Sequence, residues 1–174
     1  INKTDEKDQG QELSLYSTLD QNVISTISSS DGFKIDEYVI SANKRFVATW
    51  EVSLEPNSQV LLGGKSRVFS IDLETGEKNL IFDETSSPDT PVKYPRAITD
   101  SGVIFTDSFL PNQGAGWAYG LNTSDFKGTA KADVGQLING TYSTKPSLSP
   151  NGSFLAFAGY DGTKGDGVAA TNGF

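Results

Sequence analysis

The chain contains no cysteine, no histidine and no methionine among its 174 residues. Without Cys there is no disulfide framework, no thiolate nucleophile and no cysteine zinc site. Without His there is no Ser-His-Asp relay, no imidazole base and no haem held by imidazole. Positive charge is also scarce: 14 basic side chains face 22 acidic ones, for a net charge of −8 and a pI near 4.5. Such a surface repels phosphate backbones and anionic membrane faces, so nucleic acid is not expected as a partner. Long apolar runs are missing as well. Stretches such as Phe154-Leu155-Ala156-Phe157-Ala158 fall far short of the roughly 18 residues that a spanning helix needs. No basic segment followed by an apolar one opens the chain. Long amphipathic helices are absent too. Only Ser124 to Asp133 has a helix-friendly composition, and Gly128 interrupts it, leaving room for one short helical turn.

What is present begins with a polar segment, residues 1–12, too poor in apolar side chains to bury anything. It reads as a flexible tether of the kind that follows an export or anchoring signal. The first residue, Ile1, is no initiator methionine, so the chain is expected to be processed or cut from something longer. The expected location is exported: periplasmic, cell-surface or extracellular. Asn-x-Ser/Thr triplets start at Asn2, Asn122, Asn139 and Asn151. In a chain this rich in Asn, Ser and Thr they read as coincidence outside a eukaryotic secretory setting.

The remainder reads as strands. Residues 38–41, 45–52 and 67–73 are rich in β-branched and aromatic side chains, and the last alternates apolar with polar. Asn43-Lys44, Glu55-Pro56-Asn57, Gly63-Gly64 and Glu74-Thr75-Gly76 punctuate them with turn chemistry. The chain also resembles itself. Ile40-Ser41-Ala42-Asn43-Lys44-Arg45-Phe46-Val47-Ala48 aligns without a gap on Leu148-Ser149-Pro150-Asn151-Gly152-Ser153-Phe154-Leu155-Ala156, 108 residues later. A weaker, shorter copy, Ala97 to Phe105, lies between them, so the starts Ile40, Ile98 and Leu148 are 58 and 50 residues apart. A second feature recurs out of phase. Leu15 to Asp20 followed by Val23 to Ile27 looks like Val68 to Leu73 followed by Leu80-Ile81-Phe82. Two hairpins repeating about every 50 residues are the mark of a propeller blade, a sheet whose faces need neighbours to cover them.

Lys145 to Phe157, with its Ser149-Pro150-Asn151-Gly152 turn, resembles the blade signature of TolB-like, WD-repeat-related β-propellers. Arg67 to Phe82 resembles the same family's outer hairpin. The resemblance covers residues 13 to 174 and implies an all-β fold, but is nearly silent on function, because such propellers serve as scaffolds, binding discs and appendages of hydrolases. Two copies depart from the pattern: Ala42-Asn43-Lys44 stands where Pro-Asn/Asp-Gly is usual, and the middle copy keeps only Asp100-Ser101-Gly102.

On this reading a C–D hairpin (13–27) precedes one blade (37–83), a second (94–138) and a partial third (145–174). About three blades' worth of four-stranded antiparallel sheets is an incomplete propeller, because closure takes roughly four to eight. A fragment of a longer propeller is favoured. Closure by homo-oligomerisation through open sheet edges and an open sandwich are the alternatives.

Candidate sites stand beside plainer readings. Asp161 and Asp166 lie five apart in a Gly-rich loop that can offer oxygens to Ca²⁺. Two carboxylates are few, Lys164 opposes the ion, and a polar connection is the plainer reading; no cofactor is otherwise expected. Asn112 and Gln113 lead into Trp117 and Tyr119, furniture suited to carbohydrate or peptide recognition, or to packing between blades. Asp83 and Glu84 open a long acidic connection that, with Asp36 and Glu37, can make one face anionic and draw a basic peptide, or can be an ordinary solvated loop. For catalysis, Asp36, Asp72, Asp100 and Asp107 are the carboxylates near strand ends. A pair about 5 Å apart could run glycoside chemistry, although Asp72 suits a structural turn. Ser149 lacks a base to activate it. The expected function is therefore a non-enzymatic exported binding or scaffold module that recognises a protein or peptide with its loops. The alternatives are a fragment of a propeller-bearing hydrolase and a structural surface or appendage protein.

Overall fold

Strand β4, Phe46–Ser53, is buried along its whole length, and its sequence explains why it lies at the centre of a sheet. Phe46, Ala48, Trp50 and Val52 point to one side and Val47 to the other, so both faces need cover. The computed structural model describes residues 12–54, 64–85, 92–109, 118–133, 141–149, 153–161 and 169–170. In chain order the strands are β1 (Glu12–Ser17), β2 (Asn22–Ser28), β3 (Phe33–Ile40), β4, β5 (Lys65–Asp72), β6 (Lys78–Thr85) and β7 (Val92–Ile98). They continue with β8 (Ile104–Phe109), β9 (Ala118–Ser124), β10 (Lys131–Asp133), β11 (Thr141–Leu148), β12 (Leu155–Asp161) and β13 (Ala169–Ala170).

These strands form four antiparallel sheets, ordered β1-β2, β3-β4-β5-β6, β7-β8-β9-β10 and β11-β12-β13. Each is a meander, every strand pairing with its neighbour in sequence. Successive sheets stack face to face, and the first strands run beside one another, β3 against β7 and β7 against β11. That arrangement is a partial β-propeller whose axis lies along β3, β7 and β11. No helix occurs among the described residues, so none there is long and apolar enough to cross a membrane.

Two apolar layers hold the stack. Phe46, Trp50, Val52, Val68 and Ile81 meet Val92, Ile98 and Ile104 of the next sheet, with Tyr94 and Phe126 at the margin. On the other face Val47, Phe69 and Ile71 meet Ile27, with Leu13 and Leu15 alongside. Each large side chain so buried contributes on the order of 1.5–3 kcal/mol. Charged groups are buried as well, among them the Glu51, Asp72 and Asp107 carboxylates. Glu51 of β4 is fully buried, accepts from Ser30 N–H at 3.0 Å and pairs with Lys78 Nζ at 2.9 Å. It ties the β2–β3 link to the outer strand β6.

The repeated turn is built alike in all three copies. Ser41 Oγ accepts from Phe46 N–H at 2.9 Å, Thr99 Oγ1 from Val103 N–H at 2.9 Å and Ser149 Oγ from Phe154 N–H at 3.1 Å. The first and second turns also touch, because Asn43 N–H donates to Asp100 Oδ1 at 2.8 Å. Ser124 to Asp133 makes no helical turn. Asp125 instead collects the N–H groups of Thr129 (2.7 Å) and Ala130 (3.1 Å) and closes the β9–β10 hairpin, because a carboxylate at a turn's first position outcompetes helical pairing.

Candidate functional site

Each first strand of the three larger sheets carries a β-bulge, between Ile35 and Glu37 in β3, Pro95 and Ala97 in β7, and Thr144 and Ser147 in β11. A bulge adds an unpaired residue and turns its side chain off the ladder. In β3 and β7 the added residues are Asp36 and Arg96. They line, with Glu37, Tyr38, Val39 and Pro95, an open cleft of about 360 Å³ beside the axis.

The charges in this cleft form one connected group. Asp107, buried on β8 opposite Tyr94, accepts from Arg96 Nε at 3.0 Å. Arg96 Nη1 reaches Glu37 at 3.6 Å across the gap between sheets. The guanidinium lies 4.2 Å above the Tyr94 ring, and that ring leans on Trp50 at 5.8 Å. Arg96 is thus held from behind by a buried carboxylate and from below by an aromatic face, with one edge toward the cleft. Burial opposes its charge, but the bonds to Tyr94 and Asp107 and the field of Glu37 outweigh it and raise its pKa above the usual Arg value.

Burial pushes the Glu37 carboxyl above its ordinary range, helped by the negative charges of Asp36 and Asp107, while Arg96 pulls the other way. Burial likewise raises the Tyr94 hydroxyl. A carboxyl with raised proton affinity and a fixed cation in one cleft are the parts of proton-transfer chemistry beside an anion-binding group. Asp36 is partnered by Lys34 at 2.9 Å on the exposed rim.

The structure separates the sequence-selected carboxylates. Asp36 lines this cleft, and Asp107 is buried behind it, bonded to Arg96. Asp72 is a turn residue: it receives Glu74 N–H at 2.9 Å and the Arg45 guanidinium at 2.7 Å, and Arg45's hydrogen bond holds its carboxyl below the usual range against the cost of burial. Asp100 joins adjacent turns. Asp83 and Glu84 lie within β6 and are matched by cations, Asp83 by Arg67 at 3.4 Å and Glu84 by Lys93. Glu84 also accepts from Lys93 N–H at 2.9 Å. Asn112, Gln113, Trp117 and Asp166 lie outside the described residues. Tyr119 falls on β9 and Asp161 ends β12, without a side-chain description for either. Sequence reasoning passed over Arg96 and Tyr94. Their only signal was a charged and an aromatic side chain flanking Pro95, just upstream of the middle repeat copy.

No family model matches this chain, and no curated protein sequence matches it. Solved structures do. One is an oligogalacturonate lyase in complex with manganese, 17% identical, with a TM-score of 0.61, matched over 94% of this chain and 46% of its own. Another is an oligogalacturonate lyase from Vibrio parahaemolyticus, 16% identical, with a TM-score of 0.61, over 92% of this chain and 44% of its own. The chain therefore spans less than half the length of each, and at these identities the likeness establishes the propeller fold. Both structures are of enzymes, which corrects the expectation of a non-enzymatic chain. Those propellers are more than twice as long as this chain, so its lack of His and Cys is no argument against an enzyme. For the manganese, the described residues offer no matching ligand set. No three carboxylates converge among them, and the Arg96 guanidinium fills the space between Glu37 and Asp107 that a cation would need.

Proposed function

We propose that these residues form part of a propeller-bearing enzyme of the lyase class that cleaves a uronate-containing oligosaccharide at the axial cleft. The observation that carries the reading is the Glu37–Arg96–Asp107 group brought together by the bulges of β3 and β7. The lyase activity named for the two structures of the same fold supports the substrate class.

In this reading Arg96, oriented by Asp107, meets the uronate carboxylate. Pairing with that carboxylate neutralises it and makes the neighbouring C–H bond more acidic. It also draws the guanidinium off Glu37, whose raised proton affinity suits it to take the proton. Electrons of the broken C–H bond form the ring double bond, and the glycosidic oxygen leaves with its bonding pair and takes a proton from solvent water. Tyr94, whose ring lies 4.2 Å beneath the Arg96 guanidinium, holds that cation in place. Export, expected from the polar opening segment, belongs to the same proposal, because polymeric uronates lie outside cells.

The test is an ultraviolet assay for the unsaturated product, using the protein expressed from its complete reading frame with oligogalacturonate and a neutral glucan as substrates. Product should form from the uronate alone. Glu37→Gln should lower the rate by about 10²–10⁴-fold. Equal turnover in the wild type, Glu37→Gln and Arg96→Ala overturns the proposal.

A further inference from the structure

The residues added by the bulges of β3 and β7 are both charged, and their signs differ: Asp36 on one sheet, Arg96 on the next. Both line the axial cleft. Each bulge interrupts a ladder, and at each the side chain set off the ladder is ionised. With Arg96 as the holder of a uronate carboxylate, Asp36 is left without a task.

The charges around Asp36 define what can lie beside it. Arg96 is the one cation among the described residues lining the cleft, and it is already engaged by Asp107 at 3.0 Å and Glu37 at 3.6 Å. It can match one incoming carboxylate. Asp36 is bonded to Lys34 Nζ at 2.9 Å, but the two side chains are 40% and 39% exposed. An ion pair so open to water is weak and screened by salt. Lys34 therefore offsets the Asp36 charge only in part, and it leaves acceptor sites on the carboxylate oxygens. The remaining charge is felt inside the cleft: after burial, the largest cause, Asp36 is among the groups that raise the Glu37 carboxyl. A sugar beside such a group is welcome through its hydroxyls, which donate to the carboxylate, whereas an ionised carboxylate is repelled.

We infer that Asp36 sets the specificity of the site: it accepts from hydroxyls of the sugar next to the uronate held by Arg96, and it disfavours an ionised carboxylate on that sugar. The inference rests on the uronate reading given above and narrows it. The preferred ligand is an oligosaccharide in which a free uronate adjoins a neutral or methyl-esterified residue. Lys34 moderates the preference.

The experiment compares trigalacturonate, fully ionised, with the same trimer partly methyl-esterified. Affinity is measured by calorimetry and turnover by the ultraviolet assay, both at low salt. The wild type should favour the esterified trimer by about 3–10-fold, the size of one like-charge contact near the surface. Asp36→Asn should abolish or reverse the preference, since Lys34 is then an unmatched cation. Lys34→Ala should widen it by about 3-fold. Raising salt to about 0.5 M should bring the wild-type ratio toward one. Equal affinity of the wild type for the two trimers at low salt, or a preference that Asp36→Asn leaves unchanged, overturns the inference while the uronate reading stands. Failure of both trimers to bind or react overturns that reading, and the inference falls with it. The salt series needs no variant, so it decides the matter even if a substitution unfolds the protein.

Discussion

Lys44 and Gly102 hold the same left-handed backbone conformation, φ 64° and 84°, at the same point of the turn joining the first and second strands of successive sheets. Glycine takes this conformation freely, and a side chain with a Cβ pays roughly 1–2 kcal/mol. The departure from Pro-Asn/Asp-Gly at Ala42-Asn43-Lys44 is thus one of residue type and not of backbone. Lys44→Gly should stabilise the fold by about 0.5–1 kcal/mol, because the relief of strain exceeds the added freedom of the unfolded chain. Urea denaturation at neutral pH measures it, and an unchanged or lower midpoint would refute the strain.

The converse substitution, Gly102→Ala, meets two obstacles. The positive φ disfavours any side chain, and the new Cβ would come within 3.1 Å of Phe126 Cβ, which is packed against Phe46. A loss of about 1–3 kcal/mol follows, read as a lower melting temperature.

Glu51 and Lys78 form a pair with one fully buried member. Glu51→Ala leaves a cation and Ser30 N–H facing an apolar layer, and should cost about 2–4 kcal/mol. Lys78→Met should cost as much or more, since it strands the buried carboxylate. A double-mutant cycle isolates the coupling, and a coupling near zero would show the pair to be incidental.

Asp72 ties stability to acid. Arg45's hydrogen bond, aided by the Glu74 and Thr75 amides, holds the folded carboxyl below its ordinary value of 3.8. A folded value below the unfolded one means that this stabilisation is complete above the unfolded value and is lost as pH falls through the folded one. Asp72→Asn should therefore flatten the dependence of stability on pH below 3.8, with thermal melts at successive pH values as the measure.

Glu37 carries the opposite sign. Burial raises its folded value above 4.5, so its contribution is present below the unfolded value and fades as pH rises through the folded one. Glu37→Gln should leave stability at neutral pH unchanged or slightly higher while, on the proposed function, lowering turnover by about 10²–10⁴-fold. Parallel loss of both would mark the residue as structural.

Much of the fold was legible because strand chemistry is local. Ser41, Thr99 and Ser149 recur with apolar residues on either side, and the hydroxyl-to-amide bond they make spans only four or five residues. Asp72 was equally readable as a turn residue, since its amide partners are two and three positions away. The site was less legible. Asp36 and Asp107 could be picked out as carboxylates near strand ends and Glu37 as a charge that makes one face anionic, yet nothing in their spacing joins residue 37 to residue 96. Asp83 and Glu84 looked like loop charges, but their alternation continues β6, where Arg67 and Lys93 neutralise them.

The sequence by itself determined the strands, their turns and the repeat that makes each sheet need a neighbour, because period-two burial and turn chemistry act over a few residues. Tertiary structure alone decided which charges share a cleft. The bulges at Asp36 and Arg96 aim side chains from two sheets at one axis, and that convergence depends on how the sheets stack, through an apolar layer that carries no information about charge.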